Sequence, residues 1–446
     1  MRRLNLAGIA TVATLFAVSG LAITACSPPP LEGVTAFEGG RVIIGDGSAP
    51  IENATFIVDG SEIVAVGPTG EVEVPAGAAR VSLVGKTVMP AIVDTHVHVR
   101  QSPEELTQDL KRRAYFGVSA AMSLGTDIPE IVAMRREVIP GAARFFSAGL
   151  GITAPEPGRS FAPYSTPYQI TTEEEGRAAV QEQAALNVDI IKIWVDDRGG
   201  QYAKLTPDLY GPIIDEARSH GLRATAHIFA LEDAKGLLKA GISSFAHSIR
   251  DTDADDEVME LFAQHPEFVL VPNLGGRGAP TDLTWLRGSL PDDEIAKLEE
   301  RNVDQPEAQA AFGIQARNLV KMNDAGVRIA FGTDGNSPWG PHVEMEDMVE
   351  AGMSPMDVIV SATQNSAAFL RMENAGTLTM GKIPLTEHRV LIGQSVGTII
   401  VPTGAKHSFA NLRWAQAYGR PMIVIAIYSA AISQPIATGS PPKNTL

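Results

Sequence analysis

The sequence is poor in cysteine and in basic charge. One cysteine, Cys26, stands among 446 residues, so no disulfide can form within the chain. Lysine and arginine total 36 against 52 acidic residues, a formal net charge of −16. That balance excludes the basic surface a nucleic-acid partner requires, and it supplies no attraction to anionic lipid. No Gly-rich phosphate fingerprint follows the first strand of the alternating segment described below, which argues against a doubly wound nucleotide-binding sheet. The apolar run before Cys26 is short of the ~20 residues of a good spanning helix.

What the N-terminus does have is Arg2 and Arg3, then apolar residues, then small residues up to Cys26. This is the pattern of a secretory signal over residues 1–26. Its end, ITAC, resembles a bacterial lipobox, which implies cleavage before Cys26 and lipidation of that residue. A sole cysteine used as an anchor leaves no free thiol in an oxidising compartment. A plain signal peptide or an uncleaved helix is the alternative. Ser27 after the cysteine resembles the outer-membrane sorting pattern. The expected location is the cell envelope, facing the periplasm, with membrane contact only through the lipid on Cys26. SPPPLEG reads as a stiff tether.

From residue 27 to 88, short β-branched runs alternate with GDG, DG and PTG turns, the text of antiparallel strands in a small β-sandwich. From residue 89 to 372 the rhythm changes to strand then helix, repeated. VDTHVHV precedes SPEELTQDLKRRAYFG, SAAMSLG precedes PEIVAMRREVIP, and DIIKIWVD precedes TPDLYGPIIDEARSHG. RATAHIF, SSFAHSI, FVLVPNL and VRIAFGTD continue the series. About eight such units predict an α/β fold, a (β/α)8 TIM-like barrel, with a doubly wound sheet as the alternative.

The ends of those strands carry unusual residues. MPAIVDTHVHVR, residues 89–100, is apolar and then presents His96 and His98 on one face, because strand positions i and i+2 point the same way. Lys192 lies in DIIKIWVDD, His227 in ATAHIFA, His247 in SSFAHSIRD and Asp334 in IAFGTDGN. In a barrel all these ends open on one face. Imidazoles and a carboxylate suit zinc or a similar divalent ion. A lone strand histidine is ordinarily a satisfied core residue, and that reading holds for His220, His265, His388 and His407. Lys192 admits two readings: a stem that snorkels to the barrel mouth, or a neutral amine that takes up carbon dioxide as a carbamate and bridges two metals. Arg250, three residues after His247, is a candidate for a substrate carboxylate or for an exposed ion pair with Asp251 or Asp253. Tyr164, in a long loop, is a candidate pocket cap or a solvent residue. His342 in WGPHVEM is a candidate pocket residue or a core histidine.

The set HxH, K, H, H, D, in that order, resembles the amidohydrolase superfamily in its binuclear, carboxylated-lysine branch, over roughly residues 33 to 382. The resemblance implies that His96, His98 and Asp334 hold the more buried of two divalent ions, with Zn2+ expected, and that His227 and His247 hold the other. It implies that carboxylated Lys192 bridges them. Ala91 after Pro90 departs from the glycine usual there. IKIW, AHSIRD and GTDGNSPWGPHVEME are similar to the imidazolonepropionase-like and Xaa-Pro or Xaa-Arg dipeptidase-like group, and Lys192 favours its dipeptidase-like members. The implied reaction is hydrolysis of an amide in a small substrate, such as a dipeptide, an N-acyl amino acid or a cyclic amide. A water shared by the metals attacks, and Asp334 passes its proton to the leaving amine. An ester or lactone substrate, a one-metal deaminase and a silent binding lipoprotein are the alternatives, and a homo-oligomer is compatible with all of them.

One segment breaks the resemblance. GTLTMGK, residues 376–382, is as expected, but the acidic strand usual after it is missing. From Ile383 onward Glu387 is the one acid. The segment 373–446 reads either as a divergent tail or as a frameshift product after Lys382.

Overall fold

The computed structural model describes residues 31–156 and 165–381, and the backbone of 422–425. Cys26, Tyr164 and the tail beyond Gly381, apart from that short piece, lie outside the described residues.

The turn-rich opening forms strands β1 (Val34–Val42), β2 (Ile51–Asp59), β3 (Glu62–Pro68), β4 (Ala79–Ser82) and β5 (Thr87–Pro90). A two-residue turn with Gly60 at φ 57° joins β2 to β3, a conformation glycine adopts without penalty. Among the described residues β5, β1, β2 and β3 are successive neighbours in the sheet of this small β unit, and β4 also pairs with β1. Strand alternation gives it two apolar faces. Phe37 and Phe56 stack at 4.7 Å on one, and Val34, Ala36 and Ile57 pack on the other.

The alternating segment then delivers strand and helix in turn. β6 (Ile92–Val97) leads to α1 (Pro103–Tyr115), β7 (Val118–Ser123) to α2 (Pro129–Ala133), and β8 (Arg144–Ser147), β9 (Ile152–Thr153) and β10 (Tyr168–Gln169) to α3 (Glu173–Ala185). β11 (Ile191–Val195) precedes α4 (Pro207–Ser219), β12 (Ala224–Ile228) precedes α5 (Leu231–Lys239), and β13 (Ser244–Ala246) precedes α6 (Asp256–Gln264). β14 (Val269–Val271) leads to α7 (Asp292–Arg301) and α8 (Pro306–Asp324). β15 (Arg328–Ile329) leads to α9 (Gly340–Glu350), α10 (Pro355–Val360) and α11 (Ser366–Phe369). PEIVAMRREVIP is helical only over α2 and one following 3-10 turn, less than its apolar spacing suggests. Beyond the barrel, β16 (Met422–Ile425) pairs in parallel with β5, so the chain does return a strand to the small sheet, from farther along than the family text places it.

Sequence sets the helix starts. Ser102 accepts the amide of Glu105 at the head of α1, and Thr172 and Glu175 form a reciprocal capping box on α3. The barrel strands are apolar and buried along their whole length; all five residues of β11 and of β12 are buried. That is the signature of a parallel sheet covered on both faces. β11 through β15 pair in parallel in sequence order, as do β6 through β8. The sheet closes where Thr95 N donates to Phe331 O at 2.9 Å and Asp334 N to His96 O at 2.8 Å. The fold is therefore a (β/α)8 TIM-like barrel with a small β unit at its flank. No helix of the described residues is long and apolar enough to cross a membrane.

Candidate metal centre

The closure of the barrel places β6 beside the segment after β15, and with it three of the predicted residues. Asp334 Oδ1 lies 3.1 Å from His96 Nε2 and 3.0 Å from His98 Nε2, and Asp334 Oδ2 lies 3.7 Å from His247 Nε2. Ligand atoms of His96, His247 and Asp334 all fall within 4.8 Å of one another. His227 joins from the neighbouring strand. In register it pairs with Ala246, the residue before His247, and the two rings stand 4.5 Å apart, edge to face. Lys192 lies two residues before Trp194, which pairs with His227, so it starts about 6.6 Å deeper along β11. Its side chain is 1% exposed, with Nζ 5.4 Å from the centroid of the Trp194 ring. Gly125, at φ 98°, leaves the room this takes, since a Cβ there would sit 2.8 Å from Lys192 Cγ and 2.4 Å from the Trp194 ring. The six residues thus converge at one end of the barrel.

Second partners orient the rings. His96 Nδ1 donates to Asn273 Oδ1 at 2.8 Å, which leaves Nε2 as the lone-pair nitrogen of the neutral ring. That Nε2 is buried and, although close to Asp334, has no aligned hydrogen-bond partner. His227 Nε2 is 3.3 Å from Asp196 Oδ2, at the end of β11. Asp94, fully buried in β6, accepts from Thr333 N at 3.1 Å and Thr333 Oγ1 at 2.9 Å, and lies 3.4 Å from the buried Arg113 guanidinium. This fixes the segment that carries Asp334. Neither Asn273 nor Asp196 was singled out from the sequence, although both lie at the ends of strands already recognised, VPNL and IWVDD.

Electrostatics favour neutral rings beside an ionised acid. Burial, reinforced by the Lys192 charge, pushes the His96 imidazole down to about 4 against the pull of Asp334. Burial and the Arg250 charge hold His247 well below the usual histidine range. At Asp334 burial opposes ionisation, but charge on the His96 and His247 rings when they are protonated, together with the hydrogen bonds from His96 and His98, holds the carboxyl well below its ordinary value. Neutral imidazole and carboxylate are the ligand forms a divalent ion requires. Both His247, at φ 95°, and Asp334, at φ 54°, occupy the left-handed region, as does Asn273 at φ 44°. Three strained residues in one site is the pattern of a constrained functional centre. The donor set fits a divalent ion.

The remaining predicted contacts divide. Arg250 is half-buried and, of its two readings, does not make the ion pair with Asp251 or Asp253. Asp251 accepts from Leu231 N at 3.0 Å, and Asp253 pairs with Arg317 at 2.8 Å. His342 does not line the pocket. It is fully buried in α9 and donates from Nε2 to Phe116 O at 2.8 Å, because α9 packs it inward against the end of α1. A cavity of about 640 Å³ opens beside His98, lined among others by Arg100, Glu104, Asp109, Arg112, Lys297 and Trp339. That volume suits a small-molecule ligand.

The chain matches the model of the Amidohydrolase family over residues 87–384 and belongs to that family. An uncharacterised protein of Mycobacterium tuberculosis is 27% identical over 212 residues, which is 45% of this chain and 54% of that protein; this chain spans about half the length of that relative. An imidazolonepropionase of Streptomyces avermitilis is 25% identical over 74% of this chain and 79% of its own. An enamidase of Eubacterium barkeri is 25% identical over 77% and 83%. Among solved structures, a Xaa-Pro dipeptidase with bound methionine in its active site superposes with a TM-score of 0.62 at 24% identity, covering 78% of this chain and 92% of that one.

Proposed function

We propose that this protein is a metal-dependent hydrolase that cleaves an amide C–N bond in a small substrate, with two divalent ions held by His96, His98, Lys192, His227, His247 and Asp334. The observation that carries the reading is the convergence of His96, His247 and Asp334 ligand atoms within 4.8 Å, with His96 Nε2 buried and facing the Asp334 carboxylate at 3.1 Å. Mixed imidazole and carboxylate donors point to Zn2+. Bound by these residues, divalent ions would lower the pKa of water toward neutrality and polarise the substrate carbonyl.

The chain's own residues supply the rest. Asn273 presents His96 through Nε2, and Asp196 lies 3.3 Å from His227 Nε2; these contacts would orient the two rings toward the ions. Asp334, kept ionised by its imidazole neighbours, is the base that takes the proton of the attacking water and delivers it to the leaving amine. Lys192, as a neutral amine, could form an N–C bond with carbon dioxide and release a proton, and the resulting carbamate would supply a further anionic ligand. A one-metal hydrolase or deaminase is the second reading, favoured by the tightness of the His96, His247, Asp334 trio alone.

Metal analysis with chelator dialysis tests both. The expected result is about two ions per chain by the binuclear reading, loss of hydrolysis of dipeptides or N-acyl amino acids on chelation, and recovery with Zn2+. Lys192→Ala should then drop the content toward one ion and abolish turnover. Unchanged activity in that variant would favour the one-metal site. Activity indifferent to chelation would overturn both.

A further inference from the structure

The Arg250 guanidinium lies among the groups of the metal site yet is bound to none of them. It follows His247 by three residues, and its main-chain N–H donates to Phe229 O at 2.9 Å, which ties it to the end of β12. Its Nε is shut off from solvent with no hydrogen-bond partner. Among the described residues the side chain makes no ion pair. The acids adjacent in sequence are taken, Asp251 by Leu231 N and Asp253 by Arg317. The carboxylates whose charges act on it are Asp334, Asp196 and Glu344, with Arg198 the nearby cation. Each of those acids is committed elsewhere: Asp334 to the histidines, Asp196 to His227 and Arg198, and Glu344 to Leu274 N at 2.8 Å.

A buried N–H without a partner is unfavourable, and Arg250 Nε is such a group, while the rest of the half-buried guanidinium is left to face a ligand. Its planar fork matches a carboxylate through two parallel hydrogen bonds, which a lysine cannot reproduce. Phe229, whose carbonyl fixes the Arg250 backbone, is 41% exposed and sets an apolar surface at the same strand end. Resting on the hydrolase reading above, we propose that Arg250 anchors a free carboxylate of the substrate, so that the preferred substrates are N-acyl amino acids or dipeptides with an apolar side chain beside that carboxylate. Neutral cyclic amides and lactones without such a group are then poor substrates.

The test uses the zinc-loaded full chain with N-acetyl-L-phenylalanine, N-acetyl-L-leucine and N-acetyl-L-methionine, each paired with its methylamide. Calorimetric binding is measured beside turnover. The expected result is at least tenfold tighter binding of the acids than of the methylamides, with the same preference in kcat/KM. Arg250→Met should erase the difference by raising KM for the acids toward that of the amides, while Arg250→Lys, which keeps charge without the fork, retains part of it. Melting temperatures confirm that both variants fold. Acids and amides that bind alike, or a preference that survives in Arg250→Met, overturn the proposal. Binding of the acids that depends on Arg250 without any hydrolysis supports the anchor and counts against the hydrolase reading instead.

Discussion

His96 and Asn273, 177 residues apart in sequence, meet in a 2.8 Å hydrogen bond from Nδ1 to the amide oxygen. The bond decides which nitrogen of His96 faces Asp334. Groups that orient a metal-binding histidine typically contribute 10–100-fold in metal affinity. Asn273→Gly removes the amide while tolerating the left-handed backbone of this position. It should weaken Zn2+ binding by roughly that factor, read by competition with a chromophoric chelator, whereas Asn273→Asp should keep most of the affinity. Unchanged affinity in Asn273→Gly would reduce the contact to packing.

Beneath the same segment, Arg113 and Asp94 are both fully buried, with Arg113 also bonded to Asp109 at 2.7 Å. Arg113→Met strands the Asp94 carboxylate in the core beside Thr333. Removing one member of a buried pair costs about 3–5 kcal/mol, so urea unfolding should show a loss of that order. Activity should fall as well, because Asp94 holds Thr333 N and thereby Asp334. Arg113→Met combined with Asp94→Asn removes the stranded charge and should recover part of the stability. A loss within experimental error in the single variant would mean that Asp94 is already satisfied without Arg113.

Much of the site was legible because repetition made it so. One strand histidine says little, but His96, His98, His227 and His247 all fall at the ends of strands that the alternating pattern had already defined. The orienting groups were not legible for the opposite reason. Asn273 and Asp196 have no periodic signature, and their roles exist only once β14 lies across from β6 and β11 beside β12. His342 shows how little a single residue decides: WGPHVEM left a pocket or a core histidine open, and α9 turns the imidazole onto a backbone carbonyl. Nor does the sequence announce the left-handed backbone of His247, Asn273 and Asp334, since none is a glycine. The small sheet was read from its turns, but the long-range pairing of β16 with β5 joins segments over 300 residues apart, which no local pattern encodes.

Helix α9 carries a pH dependence into the loop that follows Asn273. One guanidinium, Arg277, serves two acids there: Nη1 lies 3.1 Å from Asp347 and Nη2 lies 3.0 Å from Glu346, both nearly buried. Burial pushes the Asp347 carboxyl up to about 7; Arg277 opposes the rise, and Glu346 and Glu350 add to it. Unfolded, the same group titrates near 3.9. Between those values the folded chain holds a proton that the unfolded chain has released. The resulting stability is fully present below about pH 4 and is lost as the pH rises through about 7. The amount is on the order of 1–4 kcal/mol. The urea midpoint of the wild type should therefore fall between pH 5 and pH 8. Asp347→Asn, which stays neutral and still accepts a hydrogen bond from Arg277, should flatten that profile and exceed the wild type at pH 8. Parallel profiles for the two proteins would assign the dependence to some other group.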